Sequence, residues 1–523
     1  MPDQCTHSPR AQARMRLAPL VALLLSGCAV GPDFTRPEAP AVERYTPYPV
    51  PAETAMAPVS GGAPQRFAVT RDIPGEWWAL FRSEGLNALI TEAFKNSPSI
   101  AAAETALRQA RELTLAGEGA FFPTAQAGFS ASHNKTAASL SPVTASGSLY
   151  YSQYSPQLSV SYVPDVFGGT RRQVEALTAQ EEAQRFQLEA AYLTLSANLV
   201  AAAMTEASLR GQVAATEEII RIQGESLDIL RRQQWLGQVA GAEVAAQEAA
   251  LAQAEALLPP LQKQLGQQRH LISVLAGRFP SDQPAASFDL ASLQLPQDLP
   301  VSLPSKLVDQ RPDVRAAEAN LHAASAQIGV ATANRLPQFT LTGNVGSTAL
   351  TLAGLAAPGN VFWTVAGNVA QTVFDAGTLF HKQRAAEAAF DQAGAQYRQT
   401  VLTAFQNVAD ALHAVQEDAV ALKAAAAAET AAKTSLVIAQ RQLQLGAVNY
   451  LALLTAQNAY QTALSTRVQA EAARLSDTAA LFQALGGGWW NRARTMEADT
   501  PAPSMIATLQ WHGEPRSSEG GVP

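Results

Sequence analysis

Residues 377–445 form a stretch of about seventy positions that contains no proline, with Gly394 as the sole internal glycine. Apolar or small side chains recur in it at steps of three and four: Phe390, Ala393, Tyr397, Val401, Ala404, Val408, Leu412, Val415, Ala419 and Leu422. That spacing lays one stripe along one face of a helix. At 1.5 Å per residue a continuous helix here would run about 100 Å, whereas helices in globular cores average about three or four turns. A rod of that length needs partners of similar length. Residues 170–235 supply one, also free of proline, with Phe186, Ala190, Leu193, Ala197, Val200 and Met204 on one face. The chain is therefore expected to be elongated and mainly α.

The address comes next. Arg10, Arg14 and Arg16 precede an apolar run from Leu17 to Leu25, followed by Leu25-Ser26-Gly27-Cys28. A basic start, a short apolar core and small residues before a cut site make a secretory signal. The run is too short for the roughly twenty residues a spanning helix requires. Leu-Ser-Gly-Cys is similar to the lipobox of bacterial lipoproteins, which implies lipidation of Cys28; Ala29 after it favours the outer membrane. Met1 or Met15 could equally start translation. Cys5 and Cys28 are the only cysteines, which excludes a disulfide framework from the remaining chain. A net charge of -7 without any Lys/Arg-rich run argues against a nucleic-acid partner.

Residues 29–74 are rich in proline and read as an extended tether lying against the body. Trp77-Trp78-Ala79-Leu80-Phe81 then reads as a core anchor. A repeat follows. Pro98 opens a helix that stops at Pro123, and Pro312 opens another that stops at Pro337, at one offset (312 − 98 = 337 − 123 = 214). After each stop the chain alternates with period two. Ala125, Ala127, Phe129 and Ala131 interleave with Gln126, Gly128, Ser130 and Ser132, and Tyr154, Leu158, Val160 and Tyr162 with Ser155, Gln157, Ser159 and Ser161. Phe339, Leu341 and Val345, then Val361, Trp363, Val365 and Val369, repeat the pattern. Runs of about ten residues suit tilted membrane-spanning strands, although a half-buried soluble sheet alternates in the same way.

No later segment offers about eighteen uninterrupted apolar residues, so a membrane crossing is expected to use strands. Four strands cannot close a barrel, and open edges in lipid leave main-chain groups unpaired at several kcal/mol each. Two copies would give a barrel filled by its own side chains, and three would leave a lumen. Each rod ends at a glycine turn, and about forty helical residues return from it. Each half is thus a helical hairpin, with its tip at Leu236-Gly237-Gln238-Val239 or Leu445-Gly446-Ala447-Val448. Pro259-Pro260 is expected to break the first return arm.

Several of these pieces, in order, resemble the outer-membrane efflux protein family, the TolC-like channels, in its OprM/NodT-type lipoprotein branch. They are Gly27-Cys28-Ala29-Val30-Gly31-Pro32-Asp33-Phe34, Trp77-Trp78 with Leu80-Phe81, Asp165-Val166-Phe167-Gly168, Leu303-Pro304-Ser305, and Gln310-Arg311-Pro312-Asp313-Val314 with Ala317-Glu318. The resemblance implies a homotrimer whose twelve-stranded β-barrel continues into a long periplasmic α-helical barrel, built from two tandem helix–strand–strand–helix-hairpin repeats. It implies an outer-membrane exit duct, lipid-anchored and extending into the periplasm, for small molecules such as drugs or toxic compounds. Its implied partners are a periplasmic adaptor (membrane fusion protein) docking on the two tips and an inner-membrane pump of the RND type. Family members often carry acids after the second tip, where this chain has Val448, Ala452 and Thr455. The periplasmic mouth is therefore expected to close through Asn449, Tyr450 and Leu451, with Glu243 the acid kept at the first tip.

The expected division is a signal peptide (1–27), a lipidated tether (28–74), a first repeat (75–277), an equatorial connector (278–304), a second repeat (305–490) and a disordered tail (491–523). Catalysis, cofactors and metals are not expected. The seven histidines (His7, His133, His270, His322, His381, His413, His512) lack metal-ligand spacing. His322, His381 and His413 are expected on solvated or lumen faces. No nucleophile-elbow, Walker or dinucleotide pattern occurs. Rival readings are the duct of a type I protein secretion system and a lipid-anchored coiled-coil scaffold that forms no channel.

Overall fold

The computed structural model describes residues 29–68, 71–136, 150–284 and 286–492. The signal peptide, Cys28 and positions 493–523 of the tail lie outside the described residues. In chain order the elements are β1 (Arg66–Ala68), α1 (Glu84–Asn96), α2 (Pro98–Glu118), β2 (Thr124–Lys135), β3 (Tyr150–Tyr162), α3 (Gly169–Trp235), α4 (Gly241–Leu275), β4 (Asp298–Pro300), α5 (Pro304–Gln310), α6 (Pro312–Ala333), β5 (Gln338–Ser347), β6 (Val361–Ala370), α7 (Thr378–Gln444) and α8 (Tyr450–Ala484). The internal repeat is exact in its long parts: α3 and α7 each hold 67 residues, and α4 and α8 each hold 35.

Both long helices start and stop by the same local chemistry. At the start, Asp165 accepts from the amides of Thr170 (2.9 Å) and Arg171 (3.0 Å), and Asp375 from those of Gly377 (2.9 Å) and Leu379 (2.7 Å). Carboxylates thereby occupy the amides that a helix leaves unpaired in its first turn. The bond from Leu379 contributes most to holding the Asp375 carboxyl below the usual range. At the far end, Gly237 (φ +73°) and Gly446 (φ +72°) take the left-handed conformation. Gln238 then donates to the Gln233 carbonyl (2.8 Å), and Ala447 to that of Gln442 (2.9 Å), closing a Schellman turn that only glycine enters without strain.

The stripes read from the sequence are the buried faces. Val401, Ala404, Val408, Leu412, Val415, Ala419 and Leu422 of α7 are buried, as are Phe186, Ala197, Val200 and Met204 of α3. One stretch of α3 is long and apolar enough to cross a bilayer by composition, and half of it is buried against the neighbouring helices. The main core gathers where the hairpins meet the N-terminal segment. Trp77, Trp78 and Phe81 are buried there, with Trp77 stacked on Phe482 at 5.7 Å. A second, smaller core of Ile219, Leu227, Leu230, Leu436, Tyr450, Leu453 and Tyr460 lies towards the tips.

One expectation is corrected. Helix α4 runs through Pro259 and Pro260 instead of breaking there. The missing amides orphan the carbonyls of Glu255 and Ala256, but all four residues are exposed, so water can take the place of the lost donors. Replacing both prolines with alanine should leave the fold unchanged and stabilise it by up to about 3 kcal/mol per site, read as a higher temperature for the loss of helical circular dichroism. A lower unfolding temperature would contradict this account.

Candidate functional site

The surfaces able to act on other molecules follow from the sheet, the N-terminal segment and the tips. The four longer strands pair antiparallel in the order β2-β3-β5-β6. Their register sorts the side chains by row. Ala127, Leu158, Val345 and Trp363 align across the sheet, and the adjoining row is Gln126, Ser159, Asn344 and Thr364. One face is therefore apolar and the other polar. The apolar face is open, with Trp363 at 75% and Val365 at 77% exposure. Strands β2 and β6 lie at the two edges, each with no further strand beside it among the described residues. An open sheet with an apolar face and bare edges suits a hydrocarbon environment only when other strands complete it.

The N-terminal segment lies strapped along the body. At its start, the Val30 amide donates to the Phe167 carbonyl (3.0 Å) at the junction between β3 and α3. The strap fits so closely that a β-carbon on Gly31 would lie 2.4 Å from the Gly329 main chain. Arg172, buried in α3, donates to the carbonyls of Val30 (3.1 Å) and Gly31 (3.4 Å) and to the carboxylates of Asp33 (2.6 Å) and Glu175 (2.7 Å). Glu175 also meets His322 at 2.9 Å, and the His322 ring stacks on Phe34 at 4.4 Å. His322 is thus a strap contact, not the solvated residue its helical position suggests; His381 and His413 are exposed. Further along, Arg36 pairs with Glu318 (2.8 Å), the Tyr45 hydroxyl donates to the Ser302 carbonyl (3.0 Å), and β1 pairs parallel with β4.

At the tips, Leu236 and Leu445 stand 59% and 76% exposed on the two glycine turns, and Leu451 is also exposed. Gly237, Gln238 and Gly446 are open, whereas Val239 is partly covered by the small core. Ala447 and Val448 complete the second turn. Asn449 caps α8, its Oδ1 accepting from the Ala452 amide (3.2 Å). Tyr450 is buried in the small core, and its hydroxyl has no partner among the described residues. Burial raises the Tyr450 pKa, with Glu243 in the first turn of α4 adding to the rise. The gate residues expected from the sequence thus split into a cap (Asn449), a core side chain (Tyr450) and an exposed apolar contact (Leu451). The sequence reading missed Arg172, which no local pattern separates from Arg171 beside it.

Arg172→Ala would take the guanidinium donor from the Val30 and Gly31 carbonyls and from Asp33, and would leave Glu175 with His322 alone, at about 1–3 kcal/mol. Limited proteolysis should then cut the segment ahead of Phe34 faster than in the unaltered chain; unchanged protection would contradict the assignment. Asn449→Ala should cost about 1 kcal/mol of stability as a lost cap, read from heat unfolding.

Comparison with known proteins agrees with this geometry. The profile of the family described as outer membrane efflux protein matches residues 89–278 and 303–487. The chain is 29% identical over 476 residues to the toluene efflux pump outer membrane protein TtgF of Pseudomonas putida, covering 90% of this chain and 96% of that one. The outer-membrane channel OprN superimposes with a TM-score of 0.79 at 28% identity, covering 88% of this chain and all (100%) of that one. The outer membrane protein VceC of Vibrio cholerae gives a TM-score of 0.74 at 25% identity, over 80% and 100% of the two chains. With both repeats matched in order, this chain belongs to the outer membrane efflux protein family.

Proposed function

We propose that the chain is one subunit of a trimeric exit duct, the outer-membrane part of a tripartite pump that expels small apolar or amphipathic compounds. The observation that carries this reading is the four-stranded sheet, apolar on one face and unpaired at both edges, continuous with two helical hairpins about 100 Å long. Three copies bring twelve strands together, enough to enclose a lumen, with the apolar rows towards lipid and the polar rows inward. The hairpins then form a wall across the periplasm. The duct is passive: it passes its cargo without making or breaking bonds.

Partners follow from the surfaces. The exposed leucines at the tips, Leu236 and Leu445, with Gly237, Gln238, Val239, Gly446, Ala447 and Val448 around them, are read as the docking points of a periplasmic adaptor that joins the duct to an RND-type pump. Tyr450, Asn449, Leu451 and Glu243 are read as holding the mouth shut by packing and capping instead of by a ring of acids. The anchor is read from the strap. Ala29 lies against Gly168, where a β-carbon on the glycine would come within 2.5 Å of the Ala29 main chain. That contact holds the first described residue, Ala29, at the strand-to-helix junction, which supports reading Cys28, next to it in sequence, as the lipidated anchor. The sequence divisions at 27, 74, 277, 304 and 490 are retained as the proposed signal, strap, repeats and connector.

A strain lacking this chain should become sensitive to organic solvents such as toluene and retain an apolar fluorescent dye, and the intact gene should restore both traits. Unchanged dye retention with loss of a secreted protein would favour the type I secretion reading; no change in either would favour a scaffold. In the same strain, Cys28→Ala should abolish palmitate labelling while the protein still folds. Persistent labelling would contradict the anchor.

A further inference from the structure

The two strand-to-helix junctions are built alike but finished differently. Before α3 the strap lies over Gly168, and the Phe167 carbonyl accepts from the Val30 amide. The cation there, Arg172, is matched by the carboxylates of Asp33 and Glu175. Before α7 no segment among the described residues takes the place of the strap. Val373 and Phe374 stand 94% and 87% exposed, just past Ala370, the last residue that β6 pairs with β5. They prolong the open apolar run of Val365 and Val369 on β6.

Beside this apolar lip stand two cations. Phe380, in the first turn of α7, has the Arg335 guanidinium 5.7 Å and the Arg384 guanidinium 5.8 Å from its ring centre. Arg335 follows α6 and Arg384 lies in the second turn of α7, so two elements bring like charges to one ring. The ring attracts each cation but does not neutralise it, and neither guanidinium meets a carboxylate among the described residues. The acids nearby are engaged elsewhere. Asp375 accepts from the amides of Gly377 and Leu379, and Glu387 accepts from Gln383 Nε2 (2.9 Å). Gln383 Oε1 in turn accepts from Arg335 (2.5 Å), and the Arg335 carbonyl accepts from Gln371 Nε2 (3.1 Å), so Arg335 is held at the end of β6. Both arginines are exposed, with guanidinium donors left over in the fork that suits a phosphate.

We propose that this second junction binds the headgroup of an anionic phospholipid in the leaflet facing the periplasm. Arg335 and Arg384 hold the phosphodiester, and Val373, Phe374 and Phe380 lie against the acyl chains. Aromatic side chains and cations at the border of a hydrocarbon face are the setting in which such lipids collect. The bound lipid does for the second junction what the strap does for the first: it covers the apolar residues and supplies the missing negative charge. The inference rests on the reading of the sheet as membrane-spanning, since only then does the junction lie at headgroup depth.

The test reconstitutes the full-length protein into vesicles of mixed phosphatidylcholine and phosphatidylglycerol, extracts it gently and reads the retained lipid by native mass spectrometry. Phosphatidylglycerol should be retained over phosphatidylcholine by about tenfold, the ratio that one charge-assisted hydrogen bond supplies. Arg335→Gln with Arg384→Gln should erase the preference, and Arg335→Lys with Arg384→Lys should keep part of it. Lys433→Gln, at an exposed cation towards the other end of α7, should leave it unchanged. Added inorganic phosphate should not displace the lipid; displacement would make this a site for a free anion and overturn the proposal. Trp363 separates the lipid site from the membrane reading, because brominated phosphatidylcholine should quench the fluorescence component that Trp363→Phe removes. If that component is not quenched, the membrane reading fails and the lipid site with it. If it is quenched while the two lipids are retained equally, or the glutamine pair retains them as the unaltered chain does, the lipid site alone is overturned. Dissociation of the oligomer by the glutamine pair with lipid retention unchanged would assign the patch to the next copy and overturn it as well.

Discussion

The constraint on which the rest depends is the main-chain hydrogen bonding of the sheet. Strands β2 and β6 end the sheet with no further strand beside them among the described residues, while the row through Leu158, Val345 and Trp363 offers a face suited to hydrocarbon. Water would satisfy the edges but not the apolar face, and lipid would satisfy the face but not the edges. Only further strands meet both demands. The hairpins raise the same problem on a larger scale. Helices of about 100 Å keep Leu402, Val420, Val437 and Ile438 exposed on α7 and Leu257 and Leu271 exposed on α4, so a single chain does not cover its own apolar surface.

Sheet and hairpins are held as one body by short, local devices. Asp165 and Asp375 fix the turn from strand to helix, and the strap lies across the first of these junctions. Running from Gly168 past Glu318 and Ser302 to Arg474, it touches both repeats, so the register of one half is tied to that of the other. Each contact alone is worth little beside the total conformational entropy, but together they hold the strap along the body. At its far end the buried Arg474 is held by the Gly61 and Ala63 carbonyls and by Thr54 and Gln65 of the strap.

Much of this was legible in the sequence, because long helices, alternating strands and their stops are written in local period and in glycine and proline. The stripe through Val401, Val408 and Val415, the tips at Gly237 and Gly446 and the 214-residue offset all refer to neighbours a few positions away or to exact recurrence. What escaped was set by partners far along the chain. Arg474 binds Thr54 across 420 positions, and His322 meets Phe34 only because the strap passes over it. Pro259 and Pro260 misled for a related reason: the cost of a proline depends on which side of the helix its orphaned carbonyls face, and the sequence alone does not give that. The split roles of Asn449, Tyr450 and Leu451 likewise follow from how α8 packs against α3.

The central claim is that one chain supplies a third of a closed barrel. Electron cryomicroscopy of the protein extracted from the outer membrane tests it directly. The account predicts a threefold particle with twelve strands in the membrane, β6 of each copy pairing with β2 of the next. A monomer, or a four-stranded sheet whose edges remain open in the detergent belt, would contradict it.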